Sequence, residues 1–88
     1  MTTKEWESQL GQEGFRHVFV WSDGPGASYP DHTHDGVTAH IILDGEMALT
    51  FDGQTRTCNA GDRIDVPART VHSAKMGPAG CRYLVGEK

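Results

Sequence analysis

From Phe15 onward, apolar and polar residues alternate in short runs separated by turn-forming residues. The stretch EMALTF (46–51) sets Met47, Leu49 and Phe51 on one face and Glu46, Ala48 and Thr50 on the other. That period of two marks a half-buried strand. RIDV (63–66) behaves alike, with Ile64 and Val66 opposed to Arg63 and Asp65. The pattern predicts further strands over 15–21 (FRHVFVW), 37–43 (VTAHIIL), 54–58 (QTRTC), 70–76 (TVHSAKM) and 81–85 (CRYLV). Asp44-Gly45 and Asp52-Gly53 read as tight hairpin turns, and 59–62 (NAGD) as another turn. The segment 22–31 (SDGPGASYPD), with Pro25 and Pro30, is expected to be a loop with little regular structure.

Only the opening segment has helical character. Thr2 with Glu5 fits a capping box, Trp6 and Leu10 lie one turn apart, and Gly11 can end the element. A short helix over about Thr3–Leu10, laid against the sheet, is expected. Many short strands at close spacing imply an all-β antiparallel sandwich or barrel, with the strands filling about residues 15–85. Closure suits a small chain because it leaves few open edges. There is no internal repeat, linker or low-complexity tract, so residues 1–88 read as one domain.

Charge narrows the partners. The net charge is −4, and the eight lysines and arginines are scattered, with no basic run to neutralise phosphates. Nucleic acid and membrane surfaces are therefore excluded as expected partners. No apolar stretch is long enough to span a bilayer, and the acidic N-terminus is unlike a signal peptide, so a cytoplasmic location is expected. Cys58 and Cys81 lack metal-type spacing and are expected as buried free thiols rather than a disulfide. A chain of 88 residues buries a thin core, and a homodimer, which would enlarge it, is expected.

The chemistry lies in the histidines: His17, His32, His34, His40 and His72. His32 and His34 are two apart, so an extended chain points both to one face with Cβ atoms about 6–7 Å apart. Two such rings can converge on one ion at a ligand distance of about 2.0–2.1 Å. An isolated His-x-His is equally compatible with two solvated histidines on a polar loop.

The surrounding pattern adds specificity. Gly26, His32, His34, Thr38 and Gly45 stand at the spacings of a G-x5-H-x-H-x3-E-x6-G motif, with threonine at the glutamate position. Gly61, Pro67, Arg69 and His72 stand at those of G-x5-P-x-G-x2-H, with arginine at the second glycine. In these two motifs and the 15-residue stretch between them (46–60), the chain resembles a small single-domain cupin. The resemblance implies a jelly-roll β-barrel and one divalent metal ion (zinc, iron, nickel, copper or manganese) held by His32, His34 and His72.

The departures from the motifs matter as much. A threonine hydroxyl at position 38 is a poor ligand for a divalent ion. His40, two residues on, is either a fourth ligand brought up by a bulge at Asp35-Gly36 or a buried histidine hydrogen-bonded below the ion. Neutral imidazoles leave the double positive charge uncompensated, which favours an anionic small-molecule ligand at the open position. Arg69 is either an exposed loop residue or a carboxylate-binding group at the barrel mouth. Tyr29 is a candidate ligand-binding group; Asp31 and Asp35 flank the histidines, and His17 is taken as structural. The resulting expectation is a metal-binding barrel, either a dioxygenase or isomerase of a small anionic substrate, or a non-catalytic binding or sensing module.

Overall fold

The computed structural model describes residues 1–88 as one helix and six strands. They run α1 (Thr3–Gln12), β1 (Arg16–Asp23), β2 (Ser28–His32), β3 (Thr38–Phe51), β4 (Gln54–Asn59), β5 (Arg63–Val66) and β6 (His72–Glu87). All strand pairings are antiparallel, with β3 and β6 at the centre. The expected all-β jelly roll with a short N-terminal helix is what forms.

Two long strands organise everything else. From Thr38 opposite Glu87 to Phe51 opposite His72, β3 and β6 pair along nearly their whole length. The ladder slips between Ile42 and Asp44 and again between Gly45 and Met47. On one side of the slip, β1 and β5 flank the pair; on the other, β2 and β4 do. The chain thus folds two long strands over to make two facing sheets.

Four expectations fail here. Asp44-Gly45 is no hairpin: Gly45 has φ +84° but Asp44 does not join it in the left-handed region, so the paired positive angles of a type I′ turn are missing. The site is a kink inside β3, held by the continuous partner β6. For the same reason 70–76 and 81–85 are not separate strands but the two halves of β6. Residues 22–31 are not a loop: β1 runs to Asp23, and β2 occupies Ser28–His32. Pro30 is tolerated because β2 pairs only with β6 and is an edge strand, where a missing N–H is harmless. The helix also runs past Gly11 to Gln12, and Gly14, at φ +92°, provides the exit instead.

The predicted capping box is present, with Thr2 Oγ1 accepting from the Glu5 amide at 3.1 Å and the Glu5 carboxylate accepting from the Thr2 amide at 2.9 Å. Leu10 carries the helix onto the outer face of one sheet, with Phe15, Ala39, Ile41 and Leu84. A second cluster fills the space between the sheets and includes Ile42, Met47, Leu49, Ile64, Met76 and Tyr83. Cys58 and Cys81 lie in it as free buried thiols. No helix is long and apolar enough to cross a membrane.

The kink constrains its residue twice over. A Cβ on Gly45 would collide with the Gly80 carbonyl, whereas one on Gly53, also at positive φ (+73°), meets nothing within 4 Å. Gly53→Ala is expected to lose about 1 kcal/mol from the backbone angle alone. Gly45→Ala is expected to lose roughly 3 kcal/mol or more, because backbone must move as well. Urea unfolding of the two variants checks this; equal losses would mean the strand crossing at Gly45 is not tight.

Candidate metal centre

His32 ends β2 and stands directly opposite His72, the first residue of β6, in the antiparallel register. Opposed residues project to the same face, so the ladder itself brings their rings together, with centroids 4.1 Å apart. His34 lies two residues beyond, past the end of β2, with its ring 5.0 Å from His32 and 5.2 Å from His72. Its backbone is fixed by Arg69, whose amide donates to the His34 carbonyl at 2.8 Å. One ligating atom from each of the three histidines lies within 4.8 Å of the others.

The donor set fits a divalent ion. Nitrogens sharing one ion at about 2.0–2.1 Å stand roughly 3 Å apart, a closure that small ring rotations supply. Two of the rings are already oriented for it. His32 Nδ1 donates to the Pro30 carbonyl at 2.7 Å and His72 Nδ1 to the Thr70 carbonyl at 2.9 Å. A carbonyl only accepts, so each Nδ1 carries the proton and each Nε2 keeps its lone pair. Backbone carbonyls that fix the tautomer in this way are a recurring support of metal-binding histidines. Burial, the larger cause, and the neighbouring His32 and His34 both hold the His72 pKa below its usual value, which keeps the ring neutral.

The three histidines line a cavity of about 340 Å³ between the sheets, within the range of small-molecule sites. Its depth is apolar, with Met47, Leu49, Met76 and Tyr83. Phe19 and Tyr29 stand toward solvent, 49% and 37% exposed. Glu87 is the one carboxylate on its wall, and no lysine or arginine lines it.

Sequence-predicted residues divide accordingly. Tyr29 lines the cavity, but its hydroxyl donates to Asp23 at 2.8 Å, and that bond raises its pKa, so the ring is what it offers. Asp23 accepts at the same time from Tyr83 at 2.8 Å and from Trp21 at 3.1 Å, joining β1, β2 and β6. Arg69 is exposed and outside the lining; its part is the hydrogen bond its backbone N–H donates to the His34 carbonyl, made with φ at +56° where the motif carries glycine. Asp31 and Asp35 are exposed and also outside it. His40 lines the cavity but does not join the cluster of three, and Thr38 lies beside it on the same wall.

Three lining residues had no weight in the sequence reading. His17 reaches the wall through an irregularity in β1 between Arg16 and Phe19, with φ +52°, and no local pattern announces such a bulge. Tyr83 and Glu87 were legible, since residues 81, 83, 85 and 87 share one face of the last strand.

Comparison with known proteins agrees with the fold. A model of the cupin domain family matches residues 19–85. Quercetin 2,3-dioxygenase of Bacillus subtilis (strain 168) is 36% identical over 63 residues, 67% of this chain but 18% of that enzyme. A cupin superfamily protein from Desulfitobacterium hafniense DCB-2 superposes with a TM-score of 0.73 at 28% identity, over 80% of this chain and 63% of its own. DMSP lyase DddQ from Ruegeria pomeroyi DSS-3 gives 0.74 at 25% identity, over 81% of this chain and 36% of its own. The chain therefore spans less than two thirds of each of these relatives.

Burial pushes the His40 pKa from its usual 6.5 down to about 4, a fall that the Ile64 backbone and Asp65 oppose and that His72 and His34 deepen. Below pH 6.5 the unfolded chain binds a proton at this residue that the folded chain refuses, so stability falls with pH until about 4. At about 1.4 kcal/mol per tenfold change, His40 alone withdraws up to about 3 kcal/mol over that window. The Glu13 carboxylate, held at about 2 chiefly by its hydrogen bonds from Arg63, acts in a lower window. Urea unfolding in EDTA at pH 7 and pH 4.5 is expected to show a smaller acid loss for His40→Phe than for the parent. Identical losses would place the acid sensitivity elsewhere.

Proposed function

The chain belongs to the cupin domain family, and on that premise we propose that it is a metal-dependent enzyme whose His32, His34 and His72 hold one divalent ion against a small anionic substrate. The observation that carries this reading is the convergence of the three rings, two of them with Nδ1 tied to backbone carbonyls. When bound, the ion supplies a Lewis-acid centre with an open position for substrate.

The chain's own residues divide the remaining work. Three imidazoles bring no negative charge, so the site favours an anionic oxygen such as a phenolate, enolate or carboxylate. No cationic side chain lines the cavity, so that anion would find its counter-charge only at the ion. Met47, Leu49, Met76 and Tyr83 would hold the apolar body of the substrate and exclude water from it. Dioxygenation is the favoured reaction, supported by the likeness to a quercetin dioxygenase, with isomerisation the alternative on the same site. The neutral Thr38 at the usual glutamate position supports a second reading, a binding or sensing barrel without turnover.

Protein purified without added metal is expected to carry stoichiometric metal by elemental analysis. His32→Ala and His72→Ala are each expected to weaken retention roughly 100-fold or more in competition with a chelator. Anaerobic reconstitution with iron or nickel, followed by oxygen uptake over a panel of phenols, enediols and small acids, separates enzyme from binding barrel. Metal uptake with no turnover leaves the binding barrel; a parent chain that retains no metal removes the metal-dependent enzyme.

A further inference from the structure

Two polar side-chain atoms inside the cavity find no hydrogen-bond partner. Thr38 and His40 project from the same face of β3, two residues apart, and both line the cavity wall. They are 5% and 9% exposed. Thr38 Oγ1 and His40 Nδ1 are the buried side-chain polar atoms of the whole chain that find no hydrogen-bond partner.

Their neighbours explain why. His40 is flanked in the sheet by Ile64 on one side and Val85 on the other, which offer no polar side chain. Thr38 is flanked by Val66 and Glu87, and Glu87 makes no bond to it. The Tyr83 ring, centred 6.1 Å from that of His40, has its hydroxyl committed to Asp23. A buried polar atom without a partner is unfavourable, and natural chains keep few of them. Two on one strand, facing one cavity, are accounted for when the partner is what enters the cavity.

We infer that Thr38 and His40 form a hydrogen-bonding subsite for a second oxygen of the substrate, a hydroxyl on the same ring or chain as the oxygen that meets the ion. This rests on the proposed three-histidine metal site and assigns His40 to the ligand rather than to the metal. A hydroxyl suits the pair because it both donates and accepts: the threonine hydroxyl can turn to either role, and a neutral imidazole nitrogen supplies the other. The apolar walls beside the pair suit a flat ring as its carrier. The ligand class is therefore a ring bearing two oxygens, one anionic and one hydroxyl, of which catechol is the smallest example.

Zinc-loaded protein, which supports no redox turnover, titrated calorimetrically with catechol and with phenol tests the inference. The parent is expected to prefer catechol by about tenfold, the worth of one well-placed hydrogen bond. Thr38→Val and His40→Phe are expected to lose that preference while keeping the parent's zinc affinity, and Thr38→Ser to retain it. Zinc affinity, measured by chelator competition, shows at once that each variant is folded around its site. A catechol preference unchanged in Thr38→Val and His40→Phe would assign it to the metal alone and overturn the inference. So would equal or no binding of the two probes by the parent. Loss of zinc from His40→Phe, as expected from His72→Ala, would make His40 a metal ligand and overturn it too. A parent that takes up no zinc fails earlier, at the metal reading, and removes the subsite with it.

Discussion

The antiparallel pairing of β3 with β6 is the constraint on which the rest depends. Each strand is long enough to serve both sheets, and their shared slip at Ile42–Met47 turns one ladder into two facing layers. The other strands add to the flanks of this pair, and no other strand pair links the two layers. Because the strands alternate faces, the turn also decides which residues look inward. Thr38 and His40 on one half of β3 then face Met47 and Leu49 on the other across a common cavity. The kink survives because Gly45 and Gly80, both at positive φ, let two backbones approach where no side chain would fit.

The histidine cluster follows from that register rather than from flexible side chains seeking one another. His72 opens β6, and β2 pairs with β6 so that His32 falls directly opposite. The two backbone carbonyls that receive Nδ1 come from Pro30 and Thr70, each two residues before its histidine. A local bond of this kind forms whenever the strand forms, so the ring is oriented before any ion arrives. That lowers the ordering cost of binding, which otherwise reduces affinity. His34 is placed differently, by the amide of Arg69 on the loop before β6. Arginine there adopts a backbone angle that glycine takes freely, and its guanidinium contributes nothing to the wall.

Much of this was legible in the sequence, and what was not has identifiable causes. The period-two alternation located β4 and β5 closely and gave the inward set of β3, because side-chain period is a local property. The resemblance of the two histidine motifs to those of cupins implied His32, His34 and His72 as a set, and the fold brings the three together. The hairpin expected at Asp44-Gly45 failed because a glycine at positive φ serves a kink as well as a turn, and only the distant partner strand decides between them. Pro30 suggested a loop because its tolerance depends on β2 lying at a sheet edge, which is again a non-local fact. His17 was unreadable since a bulge carried it to the wall, whereas Glu87 was missed only by ending the last strand two residues early.

The cavity combines two kinds of unfavourable chemistry that make sense together. An ion held by three neutral imidazoles would keep its full charge, and the single carboxylate on the wall, Glu87, is exposed and not among the converging ligand atoms. Thr38 and His40 hold polar atoms away from water with no partner, each at a penalty of about 1–3 kcal/mol. A ligand that brought a negative oxygen to such an ion and a hydroxyl to the strand would relieve both deficits in one event. Folding alone relieves neither, since better packing would replace Thr38 and His40 with valine and phenylalanine. Keeping a threonine and a histidine beside Met47, Leu49, Met76 and Tyr83 on this wall costs stability, which a role in binding would account for.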